Sequence, residues 1–275
     1  MPGRMNLQNR TAVVTGAASG IGRAIAISLA GRGCHLALAD IDEAHLAQTA
    51  ERVASPGLRI SHHQLDVADR EAVASFPATV TARHGRVDLL INNAGVALGG
   101  MFDQVSETDF EWLFEINFWG VVRMTRAFLP YLRASDDARL VNLSSLFGLI
   151  SPPGQTAYCA SKFAVRGFSQ SIGHELAGST VGVTVVHPGG VATAIARNAR
   201  IPRGLLSPEE EAERRQAAEK LLRMPAERAG EIIVKGIERR RPRVLIGMDA
   251  KIAAFIERLL PVSYWKIFER SRLQV

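Results

Sequence analysis

The residues in this chain best placed to do chemistry are Tyr158-Cys159-Ala160-Ser161-Lys162. Tyr158 and Lys162 are four residues apart, so on a helix they share one face, a turn from each other. Free tyrosine ionises near pH ~10 and carries protons poorly at neutrality. A cation fixed beside it favours the phenolate and moves ionisation toward the working range, which makes the pair a candidate acid–base catalyst. The same spacing arises by chance in many proteins, so the pair means little without elements that build a site around it.

Those elements can be followed along the chain. Residues 11–15 form a short apolar strand that runs straight into Gly16-Ala17-Ala18-Ser19-Gly20-Ile21-Gly22, and a helical pattern follows through Ile25, Leu29 and Ala30. Strand, glycine turn and helix are the context of a dinucleotide-binding turn: glycines let the backbone approach a pyrophosphate, and the helix N-terminus offers N–H groups. The spacing is GxxxGxG, and alone it serves equally well as a structural turn. A second strand, 34–39, ends in Asp40. A carboxylate there can accept both ribose hydroxyls of an adenosine and would repel a 2′-phosphate. Neither Ser19 nor Ile41 is a cation that could neutralise such a phosphate, so NAD is expected in preference to NADP. The plainer reading of Asp40 is a cap for the helix over 43–53.

Strand 60–65 ends at Asp66-Val67, with Asp69 placed to cap the next helix. Strand 87–91 ends at Asn92-Asn93-Ala94-Gly95, where the small residues leave room for a flat ring. Long amphipathic helices are expected over 106–133 and 156–176. Strand 139–143 opens into Ser144-Ser145, and strand 181–186 ends in Pro188-Gly189-Gly190-Val191-Ala192-Thr193. This alternation predicts right-handed crossovers and an α/β fold with a doubly wound parallel sheet. The features singled out fall at the C-terminal ends of strands, where such sheets bind ligands.

Composition narrows the function classes. The 275 residues are 47% hydrophobic and 22% charged, which suits one soluble globular unit with a large core. The net charge is +6, but no long basic tract with interleaved aromatics occurs, so no nucleic-acid partner is expected. The cluster Arg239-Arg240-Arg241 with Arg243 suits a solvated helix end. Two cysteines, Cys34 and Cys159, without a CxxC, favour neither a disulfide framework nor a metal site. The opening residues lack the apolar core of a signal peptide and no run of eighteen apolar residues occurs, so a cytoplasmic location is expected.

Taken together, TGAASGIG at 15–22, NNAG at 92–95, Asn117, Ser145, YCASK at 158–162 and PGGVAT at 188–193 resemble the short-chain dehydrogenase/reductase family in order and spacing. The resemblance runs from about residue 8 to about residue 247. It implies a Rossmann sheet of seven strands in the order 3-2-1-4-5-6-7, with Val244-Leu245-Ile246 in the seventh, and hydride transfer between a nicotinamide and a carbonyl or alcohol carbon. By the same resemblance Tyr158 is the acid–base and Lys162 tunes it and bonds the nicotinamide ribose. Ser145, rather than Ser144, donates to the substrate oxygen, and Asn117 holds a water in a proton relay. Asn117 also has a plainer reading as a satisfied core amide. The implied cofactor groove takes Gly16, Ser19, Gly20, Ile21 and Gly22 from the turn, and Asp40, Asp66 and Val67 from the next two strand ends. Asn93, Ala94 and Gly95 complete it with Pro188, Gly189 and Val191; Thr193 bonds the carboxamide, and Tyr158 and Lys162 close the set. Cys159 is expected to be a small helix filler and His187 a strand-end histidine without a role. Family members are commonly dimers or tetramers through the two long helices, so a homodimer or homotetramer is expected.

The loops that would surround a substrate are apolar: Val96, Leu98, Met101 and Phe102; Leu146, Phe147, Leu149 and Ile150; Ile195, Ile201, Leu205 and Leu206. A lipophilic secondary alcohol or ketone is the expected substrate. A fatty aldehyde or long-chain alcohol, or a cofactor-sensing protein without catalysis, are the alternatives. The whole chain is expected to form one catalytic domain, with a lid over 194–224 and a helical extension over 248–275. Ser207-Pro208-Glu209-Glu210 opens the lid helix as a capping box. In the extension, Ile252, Phe255, Ile256, Leu259 and Leu260 repeat at helical spacing, and Tyr264, Trp265, Ile267 and Phe268 follow Pro261. This stretch suits docking on the lid or on a partner subunit, or peripheral contact with an anionic membrane through 252–268.

Overall fold

The computed structural model describes residues 3–202 and 207–270. Strands β1 (Thr11–Thr15), β2 (His35–Asp40), β3 (Ile60–Gln64), β4 (Leu89–Asn92), β5 (Ala138–Leu143) and β6 (Val181–Pro188) alternate with helices along the chain. These are α1 (Gly20–Ala30), α2 (Glu43–Val53), α3 (Arg70–His84), α4 (Glu107–Phe114), α5 (Gly120–Arg133) and α6 (Thr156–Glu175). A two-stranded ribbon, β7 (Val191–Ala192) with β8 (Met224–Pro225), brackets α7 (Pro208–Leu221). Then come α8 (Ala226–Glu238), β9 (Arg243–Ile246), α9 (Met248–Leu259) and α10 (Tyr264–Arg270).

All seven strands of the main sheet pair in parallel, in the order β3-β2-β1-β4-β5-β6-β9. This is the expected order; the short ribbon only shifts the number of the last strand. The central strands β1, β4 and β5 are buried along their whole length, as apolar runs covered on both faces must be. β3, Ile-Ser-His-His-Gln, is polar and half exposed, which suits an edge. Two apolar layers sandwich the sheet. One holds Ile25, Leu29, Ile233 and Ile237 from α1 and α8 against Leu36 and Leu38. The other holds Phe76, Val80, Met124, Phe128 and Leu132 from α3 and α5 against Val13 and Leu90.

Local chemistry sets the helix starts. Asp69 accepts from the N–H groups of Glu71 and Ala72, as expected, and opens α3. α2 is capped by Asp42, which accepts from His45 N, so Asp40 is free of that task. Ser207 and Glu210 form the reciprocal capping box of α7, a helix whose described side chains are exposed or half-buried. The long helix expected over 106–133 carries a π-helical turn at Glu115–Trp119 between α4 and α5. Among the described residues no helix is long and apolar enough to cross a membrane.

Candidate active site

The glycine turn packs tightly against the end of β4. A Cβ on Gly22 would collide with the carbonyl oxygen of Gly16 and with Asn93 Nδ2. Asn93 is the clamp: its Nδ2 donates to the carbonyls of Thr15 and Gly16, both at 3.0 Å, while the N–H groups of Asn93 and Ala94 donate to Thr15 Oγ1. Arg23, which the sequence reading passed over, holds the turn from outside by donating to the Ala18 and His45 carbonyls and to Thr49 Oγ1. Asp40, at the end of β2, accepts from Ala18 N at 2.9 Å and from Asp42 N at 3.1 Å. Its carboxylate therefore stands beside the turn, half buried. Asp66 is exposed and bonds only locally, to Ala68 N, whereas Val67 is buried.

A cleft of about 530 Å³ opens between the start of α1 and the Ala192–Thr193–Ala194 segment, lined by Ser19, Gly20 and Thr193 among others. Tyr158 and Lys162 do not line this cleft. They lie deeper and are covered, with 9% and 4% of their surface exposed. Gly189 and Gly190, beyond β6, sit against Asp249, whose Oδ2 accepts from Gly190 N at 2.6 Å. Pro188 and Val191 are buried beside them. These positions fit a dinucleotide: the backbone is bare where phosphates would approach, and an acid stands where a ribose would lie.

Of the four residues expected to act on substrate, the structure brings all four together. Tyr158 and Lys162 share one face of α6, with Lys162 Nζ 5.6 Å from the centre of the phenol ring. Nζ also donates to the Leu143 carbonyl at 3.2 Å. The Ser145 side chain stands near enough to the Tyr158 phenol to favour its ionised form, and its Oγ accepts from Phe147 N at 3.1 Å. Ser144 turns away, donating to the Lys162 carbonyl at 2.8 Å, the task of a local structural serine. Asn117 is fully buried in the π-helical turn. Its Oδ1 accepts from Val96 N at 2.8 Å, and Nδ2 donates to the Val96 carbonyl at 3.0 Å and to Ser161 Oγ at 3.3 Å. The amide thus ties the loop after β4 to α6. A Cβ on Gly95 would lie 3.1 Å from Asn117 Oδ1 and 3.3 Å from Lys162 Nζ, so this loop passes directly over the pair.

The electrostatics differ from the simple expectation that lysine lowers the tyrosine. Burial pushes the Tyr158 phenol up to about 12, with the Ser145 side chain working the other way. Burial also pulls Lys162 down to about 8. Desolvation is the largest influence on both groups because each charged form loses its water on burial. The Cys159 thiol, buried and pushed up to about 12, is inert filler as expected.

The apolar wall is divided. Leu98, Leu113 and Ala157 pack around Tyr158, joined by Val96, Phe110, Phe147 and Ile195. Leu146 and Ile150, expected to face substrate, instead pack on Ala250, Ala253 and Phe268 of the C-terminal helices. Met101 and Phe102 are exposed, and Leu205 and Leu206 lie outside the described residues. Arg200, in the segment expected to form a lid, is tied down across the loop after β4. Arg200 exchanges backbone bonds with Ala97 and Gly99, its guanidinium pairs with Asp109 at 2.6 Å, and it stacks 3.6 Å above the Trp112 ring. The extension docks on the loop after β5: Tyr264 Oη accepts from Ser151 N at 3.0 Å. These contacts join segments about 100 residues apart in sequence, and no local pattern announces them.

A parallel sheet with this order, a glycine turn after its first strand and a buried tyrosine–lysine pair beyond its fifth defines the class of dinucleotide-binding oxidoreductases. The family model for short chain dehydrogenases matches residues 10–203, and the chain belongs to the short-chain dehydrogenase/reductase family of NAD(P)-binding oxidoreductases. It is 42% identical over 265 residues to a protein named oxidoreductase SadH from Mycobacterium tuberculosis, covering 95% of each chain. A short-chain dehydrogenase/reductase from Burkholderia phymatum, solved with NAD, superposes with a TM-score of 0.85 at 30% identity over 93% of this chain and 95% of that one. A metagenomic short-chain oxidoreductase solved with NADP gives 0.64 at 34% identity over 68% and 85%.

Proposed function

We propose that the protein interconverts a lipophilic secondary alcohol and its ketone, using NAD, with Tyr158 as the acid–base. The observation that carries this is the Tyr158 phenol, buried against the Ser145 hydroxyl with Lys162 one helical turn away. Ser145 Oγ accepts from Phe147 N, so its own proton is available to the phenol oxygen or to a substrate oxygen. Tyr158 delivers a proton to a ketone oxygen or takes one from an alcohol. Lys162 supplies positive charge beneath the phenolate, and Asn117 fixes the loop that roofs the pair. The nicotinamide cofactor supplies the hydride acceptor or donor; Asp40, the glycine turn, Asn93 and Thr193 would hold it. NADP is disfavoured by the Asp40 carboxylate beside the turn. Leu98, Leu113, Phe147 and Ile195 support an apolar substrate.

The decisive experiment is NADH formation at 340 nm across a panel of lipophilic secondary alcohols, with Tyr158→Phe and NADP as controls. Turnover with NAD that is lost in Tyr158→Phe is the expected result. Tight NAD binding without turnover of any alcohol would overturn the reading in favour of a cofactor sensor, and preferential use of NADP would overturn the role of Asp40.

We further propose that the protein is a cytoplasmic homodimer or homotetramer that touches anionic membranes through α9 and α10. Supporting this, Met248, Ile252, Phe255 and Leu259 form an exposed apolar stripe, Val262 is 95% exposed beyond it, and Lys251, Arg258 and Lys266 flank it. Sedimentation with phosphatidylserine vesicles at low salt is the test; protein left in the supernatant refutes the membrane contact.

A further inference from the structure

The loop from Ser145 to Ser151 leaves β5 with the serine at one end and passes behind Tyr158. Phe147, in its middle, meets the Tyr158 ring edge-on at 6.1 Å. Both ends of this loop are held by side chains from elsewhere. At the first end the Ser145 carbonyl is bonded to His187 Nδ1 at 3.0 Å. A carbonyl only accepts, so Nδ1 carries the proton and Nε2 is left as a bare acceptor. His187 is fully buried on β6, and its Nε2 has no hydrogen-bond partner among the described residues. Burial brings its pKa down to about 4, so the ring stays neutral. Packing alone does not account for such a residue, since an apolar side chain of the same size would leave no buried acceptor unpaired. What the imidazole contributes is one directed bond to the backbone of Ser145.

At the far end, Tyr264 Oη accepts from Ser151 N. Tyr264 is carried on α10 and braced by Phe268, whose ring centre lies 6.4 Å away. Phe268 is buried and packs with Ala250 and Ala253 on Leu146 and Ile150, the inner side of the same loop. The C-terminal helices therefore back the wall that carries Phe147.

We infer that His187 and Tyr264 are positioning residues for the two ends of this loop, His187 setting the Ser145 hydroxyl and Tyr264 setting the substrate-facing wall. The inference rests on the proposed chemistry at Ser145 and Tyr158. It assigns the two posts different kinetic signatures. A displaced Ser145 weakens an interaction realised during proton transfer, which lowers kcat. A relaxed wall weakens the fit of the substrate body, which raises KM.

The test uses three substitutions in the full chain. His187→Asn keeps an N–H near the place of Nδ1, His187→Leu removes it, and Tyr264→Phe keeps the ring but loses the acceptor. His187→Leu is expected to lower kcat by about tenfold, with NADH affinity unchanged and most of the rate restored in His187→Asn. Tyr264→Phe is expected to raise KM for bulky alcohols by about three- to tenfold while kcat stays within about twofold. Equal rates in the two His187 variants, or an unchanged KM in Tyr264→Phe, would overturn the inference. Amide hydrogen exchange supplies a readout that needs no turnover. Exchange should quicken at 145–148 in His187→Leu and around Ser151 in Tyr264→Phe. If no alcohol is turned over but these changes appear, the proposed reaction fails and the positioning stands. If exchange is also unchanged, the positioning fails by itself. Should His187→Leu not fold, His187→Gln, whose amide reaches toward the place of Nε2 instead, replaces it against His187→Asn.

Discussion

At Tyr158 and Lys162 the fold holds two ionisable groups in an environment that favours neither charged form. For Lys162 the sign is clear. Its folded-state value of about 8 lies below the usual 10.5, so between these values the unfolded chain holds the extra proton and stability rises with pH. Below about 8 the buried ammonium is a standing cost on the order of a few kcal/mol. Lys162→Met should therefore raise the melting temperature at pH 7 by several degrees, read by calorimetry, while lowering kcat by about 10²–10⁴-fold. For Tyr158 the consequence concerns direction. Held at about 12, the phenol stays protonated through neutrality, so its ionisation should leave ketone reduction nearly flat from about pH 6 to about pH 9. Alcohol oxidation needs the phenolate, and its kcat/KM should climb as pH is raised from about 7 to about 9. A pH–rate profile in both directions checks this; oxidation that is flat over that range would contradict the burial argument.

Elements decide which of these groups meet, and much of that was legible. The apolar runs of β1, β4 and β5, the caps at Asp69 and Ser207 and the glycine turn are local patterns, and the structure follows them within one or two residues. Other features depend on partners far along the chain. One extra residue in the turn at Glu115–Trp119 leaves no mark on a 3.6-residue period, yet it places the Asn117 amide against the Val96 backbone. The orientation of Leu146 and Ile150 is set by Phe268, and no window around residue 150 contains that information. No sequence signal marks His187, because its neighbour in space, the Ser145 carbonyl, is a backbone atom that every residue possesses. The turn itself yields two predictions. Gly22→Ala forces a methyl group onto the Gly16 carbonyl and should lower stability by about 1–3 kcal/mol and weaken NADH binding, measured by melting and by fluorescence titration. Asp40→Asn can keep an acceptor for Ala18 N while removing the charge, so the NADP-to-NAD ratio of kcat/KM should rise by about tenfold or more.

For the whole molecule, the same strand ends serve two tasks. The core layers on either side of the sheet are assembled from α1, α8, α3 and α5, and none of these helices carries Tyr158 or Lys162, the proposed acid–base pair. α6, the loops and the C-terminal helices do that work, with their own smaller apolar clusters. Substitutions in these smaller clusters should therefore alter kinetics before they alter global unfolding, because each is a local unit with fewer buried neighbours. The C-terminal helices join both scales: Asp249 holds the Gly190 turn and Tyr264 holds Ser151, so one segment spans the loops after β6 and β5.

The guanidinium of Arg200 sits 3.6 Å over the Trp112 ring while its backbone binds the neighbouring loop. The chain has three tryptophans; Trp119 is largely exposed and Trp265 belongs to the C-terminal cluster. Trp112 is therefore a built-in optical probe of the segment that carries Arg200. Lifting Arg200 away exchanges a stacked cation for water over the indole, and this should change its emission without any attached dye. In a double variant with Trp119→Phe and Trp265→Phe, stopped-flow mixing with an apolar alcohol tests whether this segment acts as a lid: a change in emission on mixing is expected, and emission that stays constant would contradict it.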